Sequence, residues 1–351
     1  MYNPVFQYAD AAYCEQLISA FDSIFYTDEH ASLAERILFE IIEEYGSAEG
    51  YKAAVWGRQI TPDEAMNRAV AYIRRHGIRT QVFFGSSLVT TMGSKGLSLV
   101  SVPGYYRDIR LDSLLDHELS VHFLRSKNNR LLDDDIKDGI RQSRVRYIEG
   151  RLRTRHHSPV SPDIVKILTK QMITVDEEGL ACVVTNKTYT QNQKFFQPAL
   201  SNYTVHMARK HSFYECFQDL SRKRLCVDDE DCWIQVLRTK RGLCDTSKGG
   251  GLCKDLLNFV GAMKILTHID RLDIRVFYSA KLRVEEYLAM EDELRAYFGR
   301  NSSEAGGRGR VIQLPHFLAN QACICDFMSA VRLMQRSNHI APLSGQGTSS
   351  T

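Results

Sequence analysis

The chain has 351 residues, of which 44% are apolar and 25% are charged, so it can bury a large core in one or two domains. Its formal net charge of +3 is too small to indicate a nucleic-acid-binding protein. No apolar run approaches the roughly 20 residues that span a bilayer, and residues 1–16 lack the basic-then-apolar pattern of a signal peptide. We therefore expect a cytoplasmic protein with no membrane segment and no nucleic-acid partner.

Residues 1–76 are predicted to form an N-terminal helical region. Helical periodicity runs over residues 10–46, where apolar residues fall on or beside one face: Leu33, Ile37, Phe39, Ile41 and Ile42. The sequence Thr61 to Glu64 predicts a helix start, with Thr at the N-cap, Pro at the first helical position and Glu completing a capping box. We expect this helix to run to His76 and to end at Gly77.

Residues 77–340 are predicted to form a second, larger domain. Short β-prone segments at 81–84 and 97–102 precede a helix that is expected to begin near Leu111, with Asp112 as its cap and with Leu114, Leu115, Leu119 and Phe123 buried. Such strands could bind an extended peptide by strand addition, or they could be ordinary members of a small sheet.

The segment Asp116 to His122 places two imidazoles and a carboxylate within a few residues. It resembles the zinc motif H-E-x-x-H, except that the second histidine comes one residue late. In an ideal α-helix a step of five residues turns about 500°, which leaves the two rings about 140° apart. A π-helical turn brings residues five apart onto one face, so the motif predicts such a distortion between His117 and His122. The alternative is that these histidines are ordinary packed or solvated side chains.

A third metal ligand is offered by the acidic cluster Asp176, Glu177 and Glu178, which leads into an apolar segment resembling the first turn of a helix. A catalytic zinc takes three protein ligands and one open position. The alternative is that these carboxylates only cap the helix and interact with its dipole. Asp116, which precedes the first histidine, could accept a hydrogen bond from the site, but a solvated position is favoured.

Further helices are predicted at 178–188, 204–220, 254–267, 284–298 and 319–335. Residues 300–310 are rich in Gly and Ser and predict a flexible loop, and residues 341–351 predict a flexible tail. A stripe of basic residues lies ahead of the predicted helix at 178–188. It consists of Arg141, Arg144, Arg146, Arg151, Arg153, Arg155, His156 and His157.

Taken together, these motifs resemble the microtubule-associated tyrosine carboxypeptidases and their bacterial relatives. The resemblance covers most of residues 35–320 and includes H-E-x-x-x-H followed by E-E-G-L-A. The other matching residues, in chain order, are Tyr45 to Ser47, Trp56 to Arg58, Thr61 to Glu64, Arg125, Asn129, Lys240 to Leu243, Asp245 to Ser247, Gly250 to Asp255, Ser279 to Leu282, and Leu314, Pro315, Phe317 and Leu318.

The resemblance implies a mainly helical, zincin-like α+β metallopeptidase with a small sheet beside the active-site helix, and it makes residues 77–340 the catalytic domain. It implies one Zn²⁺ per chain, with Glu178 as the third ligand because a Glu directly precedes G-L-A in the family, and with Glu118 as the general base. A carboxypeptidase must bind a free α-carboxylate, for which the matching blocks offer Lys240, Arg241 and Lys254. The implied substrate is the C-terminal tyrosine of α-tubulin, and the implied location is cytoplasmic, on microtubules of the cytoskeleton.

The chain departs from the family pattern in two places. The gap between His122 and Glu178 is longer than usual, which predicts a basic surface insertion at 133–170; its stripe is either a solvated face or a surface for a polyanion. Asn258 and Phe259 stand where a Tyr-Leu pair is usual. Two other functions stay open: a metallopeptidase acting on another protein tail, and a non-catalytic adaptor that binds microtubules or polyanions.

Overall fold

The structure, a computed structural model, describes residues 3–86, 89–155, 160–189, 192–303 and 312–341. The predicted tail beyond residue 341 lies outside the described residues, as do His156, His157 and most of the predicted loop at 300–310. Within the described residues, no helix is both long and apolar enough to cross a membrane.

Helices dominate the structure, and their bounds follow in chain order. The α-helices are α1 (Ala11–Phe25), α2 (Ala31–Tyr45), α3 (Ala48–Trp56), α4 (Pro62–Arg75), α5 (Asp108–Leu115), α6 (Leu124–Asn129), α7 (Asp134–Arg155), α8 (Pro162–Asn186), α9 (Phe196–Ala208), α10 (Phe213–Arg222), α11 (Asp229–Lys240), α12 (Leu257–His268), α13 (Ile274–Phe277), α14 (Val284–Ser303) and α15 (Gln321–Ser337). A π-helix covers Asp116–Phe123, and 3-10 helices cover Cys253–Leu256, Ile269–Arg271 and His316–Leu318.

The strands are few and short: β1 (Gln59–Ile60), β2 (Val82–Phe84), β3 (Thr91–Gly93), β4 (Gly96–Leu99) and β5 (Tyr106–Arg107). In the three-stranded sheet, β4 is central, pairing parallel with β2 and antiparallel with β3. A separate antiparallel pair joins β1 to β5. The prediction of a mainly helical α+β protein with a small sheet is therefore confirmed, while the zincin-like assignment stays a prediction.

The chain divides into two compact units, each built from separated segments. Unit 1 consists of Met1–Lys52, Asp134–Gly179 and Lys194–Gly261, and unit 2 consists of Ala53–Asp133, Leu180–Gln193 and Ala262–Thr351. The division falls inside α8, directly after Gly179. One continuous helix therefore contributes its first part to unit 1 and its last turns to unit 2.

The core of unit 1 contains the apolar face of α7. Ile148 and Leu152 of α7 are buried with Phe21 of α1 and with Leu168 and Met172 of α8. The basic residues Arg141, Arg146 and Arg153 are exposed on the same helix, whereas Arg144 is buried. One face of α7 thus belongs to the core and another is exposed and basic, and the assignment of residues 133–170 as a basic surface insertion stays a prediction.

The core of unit 2 packs the small sheet against the helix that leads into the histidine motif. Leu97 and Leu99 of β4 are buried with Leu111 and Leu115 of α5 and with Leu119 of the π-helix. The last residues of β4 and the first turns of this helix thus form one cluster, which fixes the sheet beside the motif.

Helix α4 begins at the predicted residue with the predicted N-cap, but the second half of the predicted capping box is replaced by a contact of Glu64 with Arg58. The hydroxyl of Thr61 accepts a hydrogen bond from the backbone N–H of Glu64 at 3.1 Å, and Pro62 is the first helical residue. The carboxylate of Glu64 binds the guanidinium of Arg58 at 2.5 Å. Gly77 follows the end of the helix with a φ of 60°, a conformation that favours glycine.

Two of the predicted helices have other boundaries than expected. The helix expected near Leu111 begins at Asp108, so Asp112 lies inside it and binds Arg68 at 2.8 Å instead of capping. The helix expected at 204–220 is two helices, α9 and α10, because Ser212 starts a new one with a complete capping box. The predicted helices at 254–267, 284–298 and 319–335 correspond to α12, α14 and α15.

Candidate metal centre

The histidine motif lies on the predicted distortion. Residues Asp116–Phe123 form a π-helix, and the rings of His117 and His122 meet edge to face with centroids 4.8 Å apart. An α-helix would have turned these two rings away from each other, whereas the i→i+5 repeat places them on one side. The prediction of a π-helical turn between the two histidines is confirmed.

The third predicted ligand lies on α8. His117, His122 and Glu178 each offer one ligand atom, and these atoms lie within 4.8 Å of one another. Two imidazole nitrogens and one carboxylate oxygen are the donor set of many catalytic zinc sites, so the residues fit the metal that the motif implies. In the part of the chain that the structure describes, His117, His122 and Glu178 form the one group of three possible metal ligands that lie close together.

The acidic cluster does not start a helix. Helix α8 begins at Pro162, so Asp176, Glu177 and Glu178 lie well inside it. Asp176 and Glu177 are buried, while Glu178 is half-buried. The expectation of an N-terminal turn at this point is therefore wrong, and capping cannot explain the cluster.

The glycine after Glu178 sets how closely α8 approaches α12. A Cβ on Gly179 would lie 2.2 Å from the carbonyl carbon of Gly261, and a Cβ on Gly261 would lie 1.9 Å from the carbonyl oxygen of Val175. Since real Cβ atoms do not approach so closely, both positions require glycine for the two helices to touch. This contact fixes the segment of α8 that carries Glu178.

Glu118 is held by the small sheet. Its Oε2 accepts a hydrogen bond from the backbone N–H of Met92 in β3 at 2.8 Å. Its Oε1 lies 4.0 Å from Nε2 of His117, and the residue is only 7% exposed. The carboxylate is thus fixed at one oxygen and directed toward the metal-binding side chains with the other.

His117 is oriented by the last turns of α8. Its Nδ1 lies 3.2 Å from the hydroxyl oxygen of Thr185. A partner at one ring nitrogen holds the ring in one orientation and leaves the other nitrogen for a metal, as is usual for metal-binding histidines. Thr185 could not be predicted from the sequence, since a lone threonine carries no signal of such a role.

Asp116 is buried, not solvated. It is 5% exposed, and its carboxylate accepts hydrogen bonds from the hydroxyl of Tyr72 at 2.5 Å and from the ammonium of Lys187 at 2.6 Å. Tyr72 also lies 2.8 Å from the hydroxyl of Ser120. Burial, together with the neighbouring Asp116, raises the pKa of Tyr72, which stays protonated as a donor. The prediction that favoured a solvated aspartate is wrong.

Comparison with known proteins identifies relatives that cover most of this chain. Microtubule-associated tyrosine carboxypeptidase 1 of Homo sapiens is 26% identical over 334 residues, which are 92% of this chain and 60% of the human protein. The Rattus norvegicus protein of the same name is 26% identical over 287 residues, 79% of this chain and 54% of its own length. MATCAP2 of Mus musculus is 24% identical over 311 residues, 84% of this chain and 53% of its own length. The chain is related to the microtubule-associated tyrosine carboxypeptidases.

The predicted resemblance to this family is therefore confirmed. No family model matches the chain. The chain spans about three fifths or less of the length of these relatives.

Several residues that match the family hold the segment after the π-helix in place. Arg125 is fully buried and donates to the carbonyls of Phe277 and Ala280 at 3.3 and 2.7 Å. The side chain of Asn129 accepts from the backbone N–H of Lys281 at 3.0 Å. Two matching blocks that are distant in sequence thus form one structure within unit 2, which gives the resemblance a physical basis.

Lys240, which was predicted to bind a substrate carboxylate, is held by three backbone carbonyls. Its side chain is fully buried, and its ammonium donates to the carbonyls of Ala208, His211 and Lys248 at 2.9, 2.5 and 2.7 Å. These three bonds use the three donors of an ammonium group. Burial lowers the pKa of Lys240. Holding the loop that follows α11 is therefore the role that the contacts support.

The other two residues predicted to bind a substrate carboxylate differ in their surroundings. Arg241 donates to Oδ1 of Asp255 at 3.0 Å, and Arg238 binds the same carboxylate. Lys254 is half-buried in a 3-10 helix. A role of Arg241 and Lys254 in binding a substrate carboxylate stays a prediction.

The departure from the family pattern at residues 258 and 259 falls in α12. Phe259 is fully buried and its ring meets that of His30 edge to face, with centroids 6.3 Å apart. Asn258 is half-buried. Phe259 is therefore a buried packing residue of unit 1.

Proposed function

We propose that this protein is a zinc metallocarboxypeptidase that removes the C-terminal tyrosine of α-tubulin. The observation that carries the proposal is the meeting of His117, His122 and Glu178, with Glu118 beside the first histidine. The related proteins are named microtubule-associated tyrosine carboxypeptidases, which supports both the reaction and the substrate. A location on microtubules in the cytoplasm belongs to the same proposal.

The metal would be held by the three side chains that already lie together. A zinc ion bound there would polarise the scissile carbonyl and lower the pKa of a water molecule toward about 7. His117 would bind through Nε2, because Nδ1 faces Thr185. Glu178 would supply the one anionic ligand, and its place on α8 is set by the contact of Gly179 with Gly261.

Glu118 would move the proton. With Oε2 engaged by Met92, its Oε1 is the atom that would accept a proton from the attacking water and then give it to the leaving amine. General acid–base catalysis of this kind contributes about 100- to 10,000-fold. The carboxylate keeps its orientation throughout, because the bond from Met92 comes from the backbone of β3 and not from a side chain that can rotate.

The test is to incubate the purified protein with tyrosinated tubulin and to follow release of the terminal tyrosine, together with the zinc content. Wild type is expected to bind about one zinc and to release tyrosine. Glu118→Gln should keep the metal and lose about 100- to 10,000-fold in activity, because only the proton acceptor changes. Glu178→Gln should lose metal and activity together, because it removes the anionic ligand.

Glu177→Gln is the matched control for the metal ligand. It changes the neighbouring carboxylate on the same helix, and it is expected to keep the zinc. If wild type binds zinc but leaves every tubulin tail intact, the substrate is another protein tail. If wild type binds no zinc, the catalytic proposal is wrong and the adaptor function replaces it.

A further inference from the structure

We propose that Asp116 and Lys187 form a positioning pair, which holds the π-helix in register with α8 and thereby sets the affinity for the metal. Neither residue is a metal ligand. The inference rests on the proposed zinc site and concerns what brings ligands from two helices together.

Asp116 ties the π-helix to two other elements of unit 2. It directly precedes His117, and its carboxylate is bound on one oxygen by Tyr72 of α4 and on the other by Lys187. The hydroxyl of Ser120, one turn further along, also contacts Tyr72 at 2.8 Å. One side of the π-helix thus carries the two histidines, and another side is fixed by a buried polar network.

Lys187 lies at the C-terminal end of α8, the helix that carries the third ligand, Glu178. It directly follows the last residue of α8, and its backbone N–H still donates to the carbonyl of Val183 at 3.1 Å. Its ammonium binds Asp116 at 2.6 Å, and both side chains are largely buried, with exposures of 13% and 7%. A second link between the same two helices joins Thr185 to His117.

The Asp116–Lys187 and His117–Thr185 contacts both limit how far the π-helix and the end of α8 can shift relative to each other. An α-helix is stiff along its axis, so fixing its last turn also fixes the position of Glu178 along the axis. The π-helix cannot slide or rotate without breaking the bonds to Asp116. A buried ion pair contributes little net stability compared with apolar side chains of the same size, and in some proteins such pairs select one arrangement over others. The pair is thus suited to positioning the ligands rather than to stabilising the fold.

The network also explains why an aspartate is buried beside the site. A carboxylate that loses water must be compensated by donors, and here an ammonium and a phenol supply them. An apolar residue at 116 would keep the core filled but would leave Lys187 without its anion. The two side chains therefore act as one unit, and their effects should not add.

The experiment measures zinc affinity by competition with a chromogenic chelator, and it measures thermal unfolding of the metal-free protein. The variants are Asp116→Asn, Lys187→Met and the double variant. Each single variant is expected to bind zinc about 10- to 100-fold more weakly, the range found when the partners that orient metal ligands are removed. The double variant should lose no more than either single variant.

Comparing the unfolding temperature with the zinc affinity of each variant separates a role in positioning the metal ligands from a general effect on stability. Each single variant leaves a buried charge without its partner and should unfold at a lower temperature. The double variant removes both charges, so its unfolding temperature should recover while its zinc affinity stays low. The visible spectrum of the Co²⁺-loaded double variant should also differ from that of wild type, because the ligands sit differently around the metal.

Lys52→Met is the matched control. Lys52 is also 13% exposed and binds Asp231 at 3.0 Å, but this pair lies in unit 1 on other elements. It should lower stability and leave zinc affinity unchanged. If the double variant binds zinc as tightly as wild type, the positioning role is wrong and the metal site stands. If wild type binds no zinc, the site and this inference fail together.

Discussion

The backbone N–H of Met92 donates to Oε2 of Glu118 at 2.8 Å, so an edge strand orients the proposed general base. In the pairing of β3 with β4, Met92 lies opposite Leu97, next to the closing pair Gly93 and Gly96. Successive residues of an antiparallel pair point their backbone groups alternately toward and away from the partner strand. The N–H of Met92 points away from β4, which is why it can reach Glu118.

Met92→Pro should reduce activity without removing the metal. Proline lacks the N–H, and it is tolerated on an edge strand where that N–H does not pair with the neighbouring strand. A hydrogen bond to a charged group contributes about 1.5–3 kcal/mol, so kcat on tyrosinated tubulin should fall by about 10- to 100-fold. Zinc content should stay at the wild-type value. Met92→Ala keeps the N–H and should be close to wild type; equal activity of both variants would show that the bond does not orient Glu118.

Gly179→Ala should destabilise the protein and weaken metal binding together. The new methyl group would lie 2.2 Å from the backbone of Gly261, so α8 and α12 would have to separate. Overpacking of this kind costs about 1–3 kcal/mol in the free energy of unfolding. It also moves Glu178, so the affinity for zinc should fall. Denaturant unfolding and zinc titration measure the two effects.

Gly150→Ala is the control for this prediction. Gly150 lies inside α7, and nothing lies within 4 Å of its added Cβ. Alanine is favoured over glycine in a helix by about 0.5–1 kcal/mol, so this variant should be more stable than wild type. Equal effects of the two substitutions would mean that the close contact at Gly179 is not needed.

The parts of the site that could be predicted from the sequence are those set by local spacing. The step of five residues between His117 and His122 predicts a π-helical turn, because no other regular helix places both rings on one side. The choice of Glu178 came from the family resemblance, since nothing local distinguishes it from Glu177. Its surroundings depend on Gly261, which is distant in the sequence and became visible only in the structure.

The predictions of a solvated Asp116 and of a single helix at 204–220 failed for different physical reasons. The burial of Asp116 depends on Tyr72 and Lys187, and neither could be assigned to it from the sequence. The break between α9 and α10 did have a signal, because Ser212 and Glu215 form a capping box that the sequence prediction overlooked.

The stability of the protein should fall as the pH drops below 6.5, in part because of two stacked histidines. The rings of His76 and His316 are stacked, with their centroids 4.3 Å apart. Burial lowers the pKa of both below the ordinary value of 6.5. On acidification the unfolded chain therefore binds protons first, and the free energy of unfolding decreases until the folded protein is protonated as well.

Replacing the second ring tests this explanation. His316→Phe keeps an aromatic ring against His76 but cannot be protonated, so the decrease in stability below pH 6.5 should become smaller. Chemical unfolding at a series of pH values between about 5 and 7.5 measures the slope. His30, whose pKa burial also lowers, remains in this variant, so part of the pH dependence should persist. An unchanged slope would assign the whole effect to other groups.

Ile148→Ala should destabilise the protein strongly, although Ile148 lies in the segment that was predicted to be a surface insertion. Its side chain is fully buried in the core of unit 1 together with Leu152 and Leu168. Removing the buried methyl and methylene groups of an isoleucine costs about 2–5 kcal/mol, measured as the free energy of unfolding in denaturant. Arg146→Ala, on the exposed face of the same helix, should change it by about 0.5 kcal/mol or less. If α7 did not pack in the core, the protein would tolerate both substitutions equally. A large difference between them would show that α7 belongs to the folded core. Deleting residues 133–170 would then unfold unit 1 rather than restore the shorter spacing of the family.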